Sequence, residues 1–134
     1  MKLIDKQLLD GVSRQAQKSE RLRMNYNFHQ SLDDKCHRFL NAVEPGTKVE
    51  IHRHPTKDET FVLLRGWVRV TMHNDDRSII EDIVLCPEEG KKGVNIPKGI
   101  WHGGTGGRVI DIRYKNQGNS LIRSGVSACC LGDG

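Results

Sequence analysis

No apolar run in this chain approaches the roughly 18 residues that a membrane-spanning helix needs. The stretch Met1-Lys2-Leu3-Ile4-Asp5-Lys6 meets charge too early to begin a signal-peptide core. The expectation is a cytoplasmic protein without membrane contact. Aromatic residues make up 5% of the chain, and its 21 Lys and Arg residues are scattered rather than gathered in a block. Lacking a basic stripe interleaved with aromatics, the formal net charge of +4 permits weak attraction to phosphates or anionic sugars but argues against nucleic-acid binding. Cysteine is scarce as well. Cys36, Cys86, Cys129 and Cys130 show no metal-knuckle spacing, and the neighbours Cys129 and Cys130 diverge too much for an ordinary disulfide. They read as reduced thiols, with Cys36 and Cys86 filling core positions in apolar strand-like runs. The 134 residues have room for one moderate core, which leaves no separate DNA-binding or catalytic domain among them.

The organisation that remains is a helical start (1–20), a long β region (21–116) and an irregular tail (117–134). From Asp5 to Ser19 the apolar residues Leu8, Leu9, Val12 and Ala16 recur at helical spacing, with Asp5 as N-cap and Gly11 weakening the helix by about 1 kcal/mol. Residues 21–29 then alternate strictly: Leu22, Met24, Tyr26 and Phe28 take one face, and Arg21, Arg23, Asn25, Asn27 and His29 the other. Further strands are expected at 36–43, 47–54, 59–74 with a break near Gly66, 78–86, 93–97 and 108–115. Glu88 to Gly93 reads as a solvated loop. Many short strands with Gly and Pro turns and a single helix argue for an all-β sandwich or jelly-roll barrel.

Histidine supplies the chemistry. Three of the six histidines fall into a pattern with one glutamate: His52, His54 and Glu59 in one stretch, and His102 much later. Side chains alternate along a strand, so His52 and His54 point the same way, while Glu59 opens the next strand after Pro55-Thr56-Lys57-Asp58. The turn Pro97-Lys98-Gly99-Ile100-Trp101 places His102. Three imidazoles and a carboxylate suit one divalent transition metal ion and leave positions for water or substrate; zinc, iron, manganese and nickel all fit. The run from Gly46 through His52, His54 and Glu59 to Gly66, with Pro97, Gly99 and His102, closely resembles the two motifs of the cupin superfamily. Lys91 stands where a glycine of the second motif is expected, and Gly106 where an asparagine is. That resemblance implies a single-domain cupin jelly-roll β-barrel.

A finer resemblance rests on Arg23-x-Asn25-x-Asn27-x-His29, Arg38-Phe39-Leu40-Asn41, Pro45-Gly46-Thr47 and His52-Arg53-His54-Pro55. Together these look like the WbuC family of small cupin metalloproteins, associated with bacterial surface polysaccharide synthesis. The similarity covers roughly residues 5–115 and implies a sugar or nucleotide-sugar ligand.

The faces of the 21–29 strand have two readings. With its apolar side against the helix or a partner subunit, Arg21, Arg23, Asn25 and Asn27 line the interior near the metal and bind substrate, since guanidinium and amide groups suit anions and hydroxyls. Reversed, the apolar side lines the core and the polar side meets water. The same face, Leu22, Met24, Tyr26 and Phe28, is the expected homodimer surface. Near the metal, inward His52 and His54 carry Lys48 and Glu50 inward by alternation, so either Glu50 pairs with Arg21 or Arg23 or a β-bulge shifts the phase. His29 and Glu50 are the candidate catalytic groups, His73 is expected to be exposed, and His37 is no site candidate.

Three classes follow. A metal-dependent isomerase or epimerase moves a proton beside a polarised carbonyl, with Glu59 as base if it is not ligated. An iron-dependent dioxygenase uses the same ligands. A non-catalytic module anchors a sugar or anionic metabolite at the metal.

Overall fold

In the computed structural model of this protein, residues 1–116 are described. The expected tail, with Cys129 and Cys130, lies outside the described residues.

The opening helix α1 (Lys6–Lys18) forms where the spacing predicts. Asp5 Oδ1 accepts the Leu8 backbone N–H at 2.9 Å, satisfying one of the donors that every helix start leaves open. The Ser19 N–H closes the last turn on the Gln15 and Ala16 carbonyls. Among the described residues nine strands follow: β1 (Arg23–Asn27), β2 (Cys36–Val43), β3 (Lys48–His52), β4 (Glu59–Arg65), β5 (Val68–His73), β6 (Ile79–Leu85), β7 (Gly93–Ile96), β8 (Trp101–Gly106) and β9 (Val109–Asn116). They form two antiparallel sheets, one in the order β1-β2-β9-β4-β7 and one in the order β3-β8-β5-β6. Phe61, Leu63, Ile96 and Val109 of the first sheet pack against Val70 and Leu85 of the second. Each such side chain contributes about 1.5–3 kcal/mol through burial.

The first sheet is apolar on both faces in different places, and this positions the site. On its outer face Leu40, Ala42 and Ile110 are buried with Val12 and Ala16 of α1, and Met24, Tyr26, Phe28 and Ile112 pack against that cluster. Strand alternation therefore turns the intervening residues inward: Arg23, Asn25 and Asn27 of β1, Asn41 of β2, and Asp111, Arg113 and Lys115 of β9. Of the two readings of β1, the apolar-face-outward one holds. On the expected dimer surface, Met24, Tyr26 and Phe28 pack against α1 and stay half-buried. Leu22 leaves the alternation altogether, sitting at φ 54° in the turn before β1.

Two other expectations, on β8 and on His73, need correction, and in β3 one of the two alternatives holds. The strand β8 was not foreseen, because Gly103, Gly104 and Gly106 remove the side chains that signal one; pairing with β3 on one side and β5 on the other holds it extended. His102 is accordingly on a strand, just past the Pro97–Gly99 turn. In β3, Val49 pairs with Gly104 and His52 with His102, so three residue steps run against two. That bulge shifts the phase, leaves Lys48 and Glu50 exposed, and replaces the alternative in which Glu50 pairs with an arginine. His73 is buried rather than exposed: Nδ1 donates to the Arg77 carbonyl at 3.0 Å and Nε2 accepts from Thr71 Oγ1 at 2.9 Å. The loop after β6 is exposed from Glu88 to Gly93 as expected and opens with a short 3-10 turn, Pro87–Glu89. Cys36 is buried and Cys86 half-buried, and among the described residues neither is in a disulfide.

Candidate metal centre

The two histidine-bearing segments meet because β3 and β8 are neighbours. His52 pairs directly with His102 across the strands, their rings 4.3 Å apart. His54 lies past the end of β3, in the loop to β4, with its ring 5.1 Å from that of His52 and 5.5 Å from that of His102. Two backbone ties hold this loop to the Pro97–Gly99 turn: Gly99 N–H donates to the His54 carbonyl at 2.9 Å, and Lys98 N–H to Asp58 Oδ1 at 2.8 Å. One ligand atom from each of the three imidazoles lies within 4.8 Å of the others.

Tautomers follow from the hydrogen bonds. His52 Nδ1 is 2.8 Å from the Glu50 carbonyl and His102 Nδ1 is 2.9 Å from the Ile100 carbonyl. A carbonyl only accepts, so each Nδ1 carries the proton and each Nε2 presents a bare lone pair. His54 Nε2 and His102 Nε2 are buried without a hydrogen-bond partner, while Glu59 Oε2 meets the Lys115 ammonium at 2.9 Å. His54 Nε2 stands 3.1 Å from Glu59 Oε2. Burial holds the His54 imidazole at about 4, against a smaller opposing pull from Glu59, and burial lowers His102 in the same direction. Both rings are neutral near pH 7. Two buried neutral imidazole nitrogens without a hydrogen-bond partner, one of them against a carboxylate oxygen, are the donor set of a cation. The residues fit a divalent transition metal.

Glu59 is fully buried and braced from β9. Arg113 donates from Nη1 to Glu59 Oε1 at 2.9 Å, from Nε to Asp111 Oδ1 at 2.7 Å and from Nη2 to Asp111 Oδ2 at 3.3 Å. Asn41 Nδ2 completes the line with a bond to Asp111 Oδ2 at 3.2 Å. Lys115 Nζ forms an ion pair with Glu59 Oε2 at 2.9 Å. Burial on its own would raise the Glu59 carboxyl, but Arg113 and Lys115 outweigh it and hold the group at about 2.

Residues 4–85, which include His52, His54 and Glu59, match the model of a domain of unknown function, DUF6016. The chain belongs to the DUF6016 family. No curated protein matches the DUF6016 chain. Among solved structures, the DUF6016 chain is similar to a cupin superfamily protein from Desulfitobacterium hafniense, at 19% identity over 70% of this chain and 76% of that one, with a TM-score of 0.56. It is similar to TT1209 from Thermus thermophilus, at 20% identity over 87% and 97% of the two chains, with a TM-score of 0.63. It is also similar to the capsular polysaccharide assembling protein CapF from Staphylococcus aureus, at 22% identity over 73% of this chain and 27% of that one, with a TM-score of 0.57. These likenesses show that the DUF6016 chain has a cupin fold.

The other expected site residues of this DUF6016 chain are distributed unevenly. Arg23, Asn25 and Asn27 share the inner face with Asn41, Asp111 and Arg113; Arg21 is exposed at the turn before them. His29 is buried but its Nδ1 is engaged with the Arg38 backbone, and its ring stacks on His37 at 4.2 Å. Glu50 is exposed, and its backbone carbonyl, not its carboxylate, touches the site. Among the described residues no helix is long and apolar enough to cross a membrane. Sequence reasoning missed Asp111, Arg113 and Lys115, although their alternation with Ile110, Ile112 and Tyr114 was the available signal.

Proposed function

We propose that this protein is a metal-dependent cupin of the WbuC type, acting as an isomerase or epimerase on a sugar or nucleotide-sugar intermediate of bacterial surface polysaccharide synthesis. The observation that carries the reading is the convergence of His52, His54 and His102, with unpartnered His54 and His102 Nε2 atoms, beside the inner polar face of the first sheet. His52, His54 and His102, with Glu59 beside His54, would hold a divalent ion, which would supply Lewis-acid polarisation of a ligand oxygen. Arg113 and Lys115 fix the Glu59 carboxylate in place. Asn25 and Asn27 each offer an amide donor and acceptor, a match for vicinal hydroxyls. The likeness to a capsular polysaccharide assembling protein supports the pathway.

A second reading, a non-catalytic metal-anchored sugar-binding module, is favoured by one observation. Glu59, with its carboxyl held at about 2, is a weak proton acceptor near neutral pH.

Elemental analysis of protein purified without added metal or an affinity histidine tag, beside a His52→Ala/His102→Ala double variant, tests the centre. About one transition metal ion per chain, lost in the variant, supports it; no metal in either protein overturns it. Turnover of sugar phosphates and nucleotide sugars by the loaded protein then separates the enzyme from the binding module.

A further inference from the structure

The inner face of the first sheet carries more positive than negative charge. Arg23, Arg113 and Lys115 project from it, and Lys57, half-buried in the β3–β4 loop, stands beside Lys115 and Glu59. Opposing them are two carboxylates, Asp111 and Glu59. Both are already engaged: Arg113 holds Asp111 through two bonds and Glu59 through a third, and Lys115 takes the other Glu59 oxygen. Arg23 is left over. Among the described residues its guanidinium makes no ion pair and no side-chain hydrogen bond, although it is half-buried. Burial acts against its charge most, followed by the like charges of Arg113 and Arg21, with only a smaller opposing pull from Asp111, which Arg113 already holds. A guanidinium does not escape that cost by losing its proton.

The surroundings of Arg23 have the form of a ligand site. β1 is the edge strand of its sheet, and Asn25 and Asn27 are exposed although they face inward, so solvent reaches this part of the inner face. Successive same-face residues along a strand are about 6.6 Å apart, so the row Arg23, Asn25, Asn27 presents one cationic fork and two amides at a spacing comparable to a sugar ring. Arg23 pairs through Val43 to the Val109 row of β9, whereas Lys115 is six residues further along. The two rows are about 20 Å apart along the strand, and Arg113, whose charge acts on Arg23 and whose guanidinium bonds Glu59, lies between them.

We propose that Arg23 is the receptor for an oxyanion of the ligand, a phosphate or a carboxylate, while Asn25 and Asn27 meet its hydroxyls and its far end faces the histidines. The inference rests on the reading of the histidine centre as a ligand site and adds that the ligand is an anionic sugar rather than a neutral one. Arg23 binds the group bidentately, as its planar fork matches two oxygens of either anion.

The test is titration of the full chain, as purified, with inorganic phosphate at low ionic strength, followed by calorimetry. Wild type, Arg23→Gln, Arg23→Lys and the His52→Ala/His102→Ala variant are compared, with metal content measured for each. The expected result is saturable binding in wild type, weakened about tenfold or more in Arg23→Gln, weakened to a lesser degree in Arg23→Lys, which keeps the charge but loses the fork, and kept in the histidine variant. Displacement of the phosphate by glucose 6-phosphate identifies a phosphate ligand, and displacement by glucuronate a carboxylate one. Absence of saturable binding in wild type, equal binding by a normally folded Arg23→Gln, or loss of binding in the histidine variant overturns the proposal, the last because the phosphate then sits at the metal. Metal retained in Arg23→Gln while phosphate binding fails leaves the metal reading intact, and the reverse pattern in the histidine variant leaves the oxyanion site intact.

Discussion

The guanidinium of Arg53 lies 4.6 Å from the centre of the Trp101 ring, and this contact joins the two segments that carry the histidines. Arg53 stands between His52 and His54, and Trp101 immediately precedes His102. Arg77 lies over the same ring at 4.4 Å, and Asp75 Oδ1 accepts the Trp101 Nε1–H at 3.0 Å. Because these side chains fix where the imidazoles sit without touching their Nε2 atoms, Trp101→Ala is expected to weaken metal binding about 10- to 100-fold. The cation–π contacts contribute only about 0.5–1 kcal/mol each at exposed positions, so the fold should survive. Competition against a chromophoric chelator measures the first effect and urea denaturation the second. Unchanged metal affinity would show that the strands alone hold the geometry.

Arg113 stands between two buried carboxylates. Arg113→Met removes the shared counter-ion and is expected to destabilise the protein by about 3–5 kcal/mol at neutral pH. In wild type the Glu59 carboxyl is held near 2, so its stabilising contribution is present above the ordinary carboxylate range and fades as pH falls toward 2. In the variant Glu59 protonates at a higher pH, so the deficit should shrink as pH drops below about 4. Urea midpoints at about pH 7 and about pH 3 give the comparison; an equal deficit at both values would contradict the charge argument.

His54 sets the acid limit of the centre. Its folded-state value of about 4, lowered by burial, lies under the ordinary 6.5. Above 6.5 the ring is neutral in both folded and unfolded chains and adds no pH dependence. Between 6.5 and 4 the unfolded chain takes up the proton first, so the chelator-treated protein loses stability over that window and levels off below it. Proton competition for His54 sets in only near pH 4, so its metal contact should persist at pH 6. Thermal denaturation across pH 7 to 4 checks the first statement. Metal release into a chelator over the same range checks the second.

Gly66 permits the turn between β4 and β5. Its φ is +88°, and a Cβ there would lie 2.0 Å from the Arg108 carbonyl oxygen. Gly66→Ala combines left-handed backbone strain of about 1–2 kcal/mol with a backbone clash costing about 1–3 kcal/mol more. Loss of several degrees in the melting midpoint, with the same change at Gly90 costing far less, is the expected outcome. Nothing lies within 4 Å of a Cβ at Gly90, although its φ is also positive.

Most elements were legible from local pattern. The helix with its Asp5 cap, the break near Gly66 and the strands at 36–43 and 79–85 follow from spacing and turn chemistry. The strand β8 was illegible because glycine carries no periodicity, and only its two neighbours make it a strand. The bulge in β3 was visible as a conflict, since strict alternation would have buried Lys48 and Glu50, but its position became definite through pairing with β8. Burial of His73 depends on the Arg77 carbonyl and the Thr71 hydroxyl arriving at its two ring nitrogens, a conjunction that its place before a turn does not announce.

What the sequence by itself determined is the set of local relations: which residues share a face, where a helix is capped, and that two histidines and a glutamate fall close together with a third histidine after a Pro-Gly turn. These follow from backbone periodicity and steric limits, which act over a few residues. Tertiary structure decided which face of β1 looks inward. Alternation is symmetric between the two faces, and the choice was made by α1 covering Met24, Tyr26 and Phe28. It also decided that Glu59 is braced by Arg113, 54 residues away in the chain. Such a pairing arises only when strand order places β4 beside β9, because a buried carboxylate needs a counter-charge and periodicity does not say from which strand it comes.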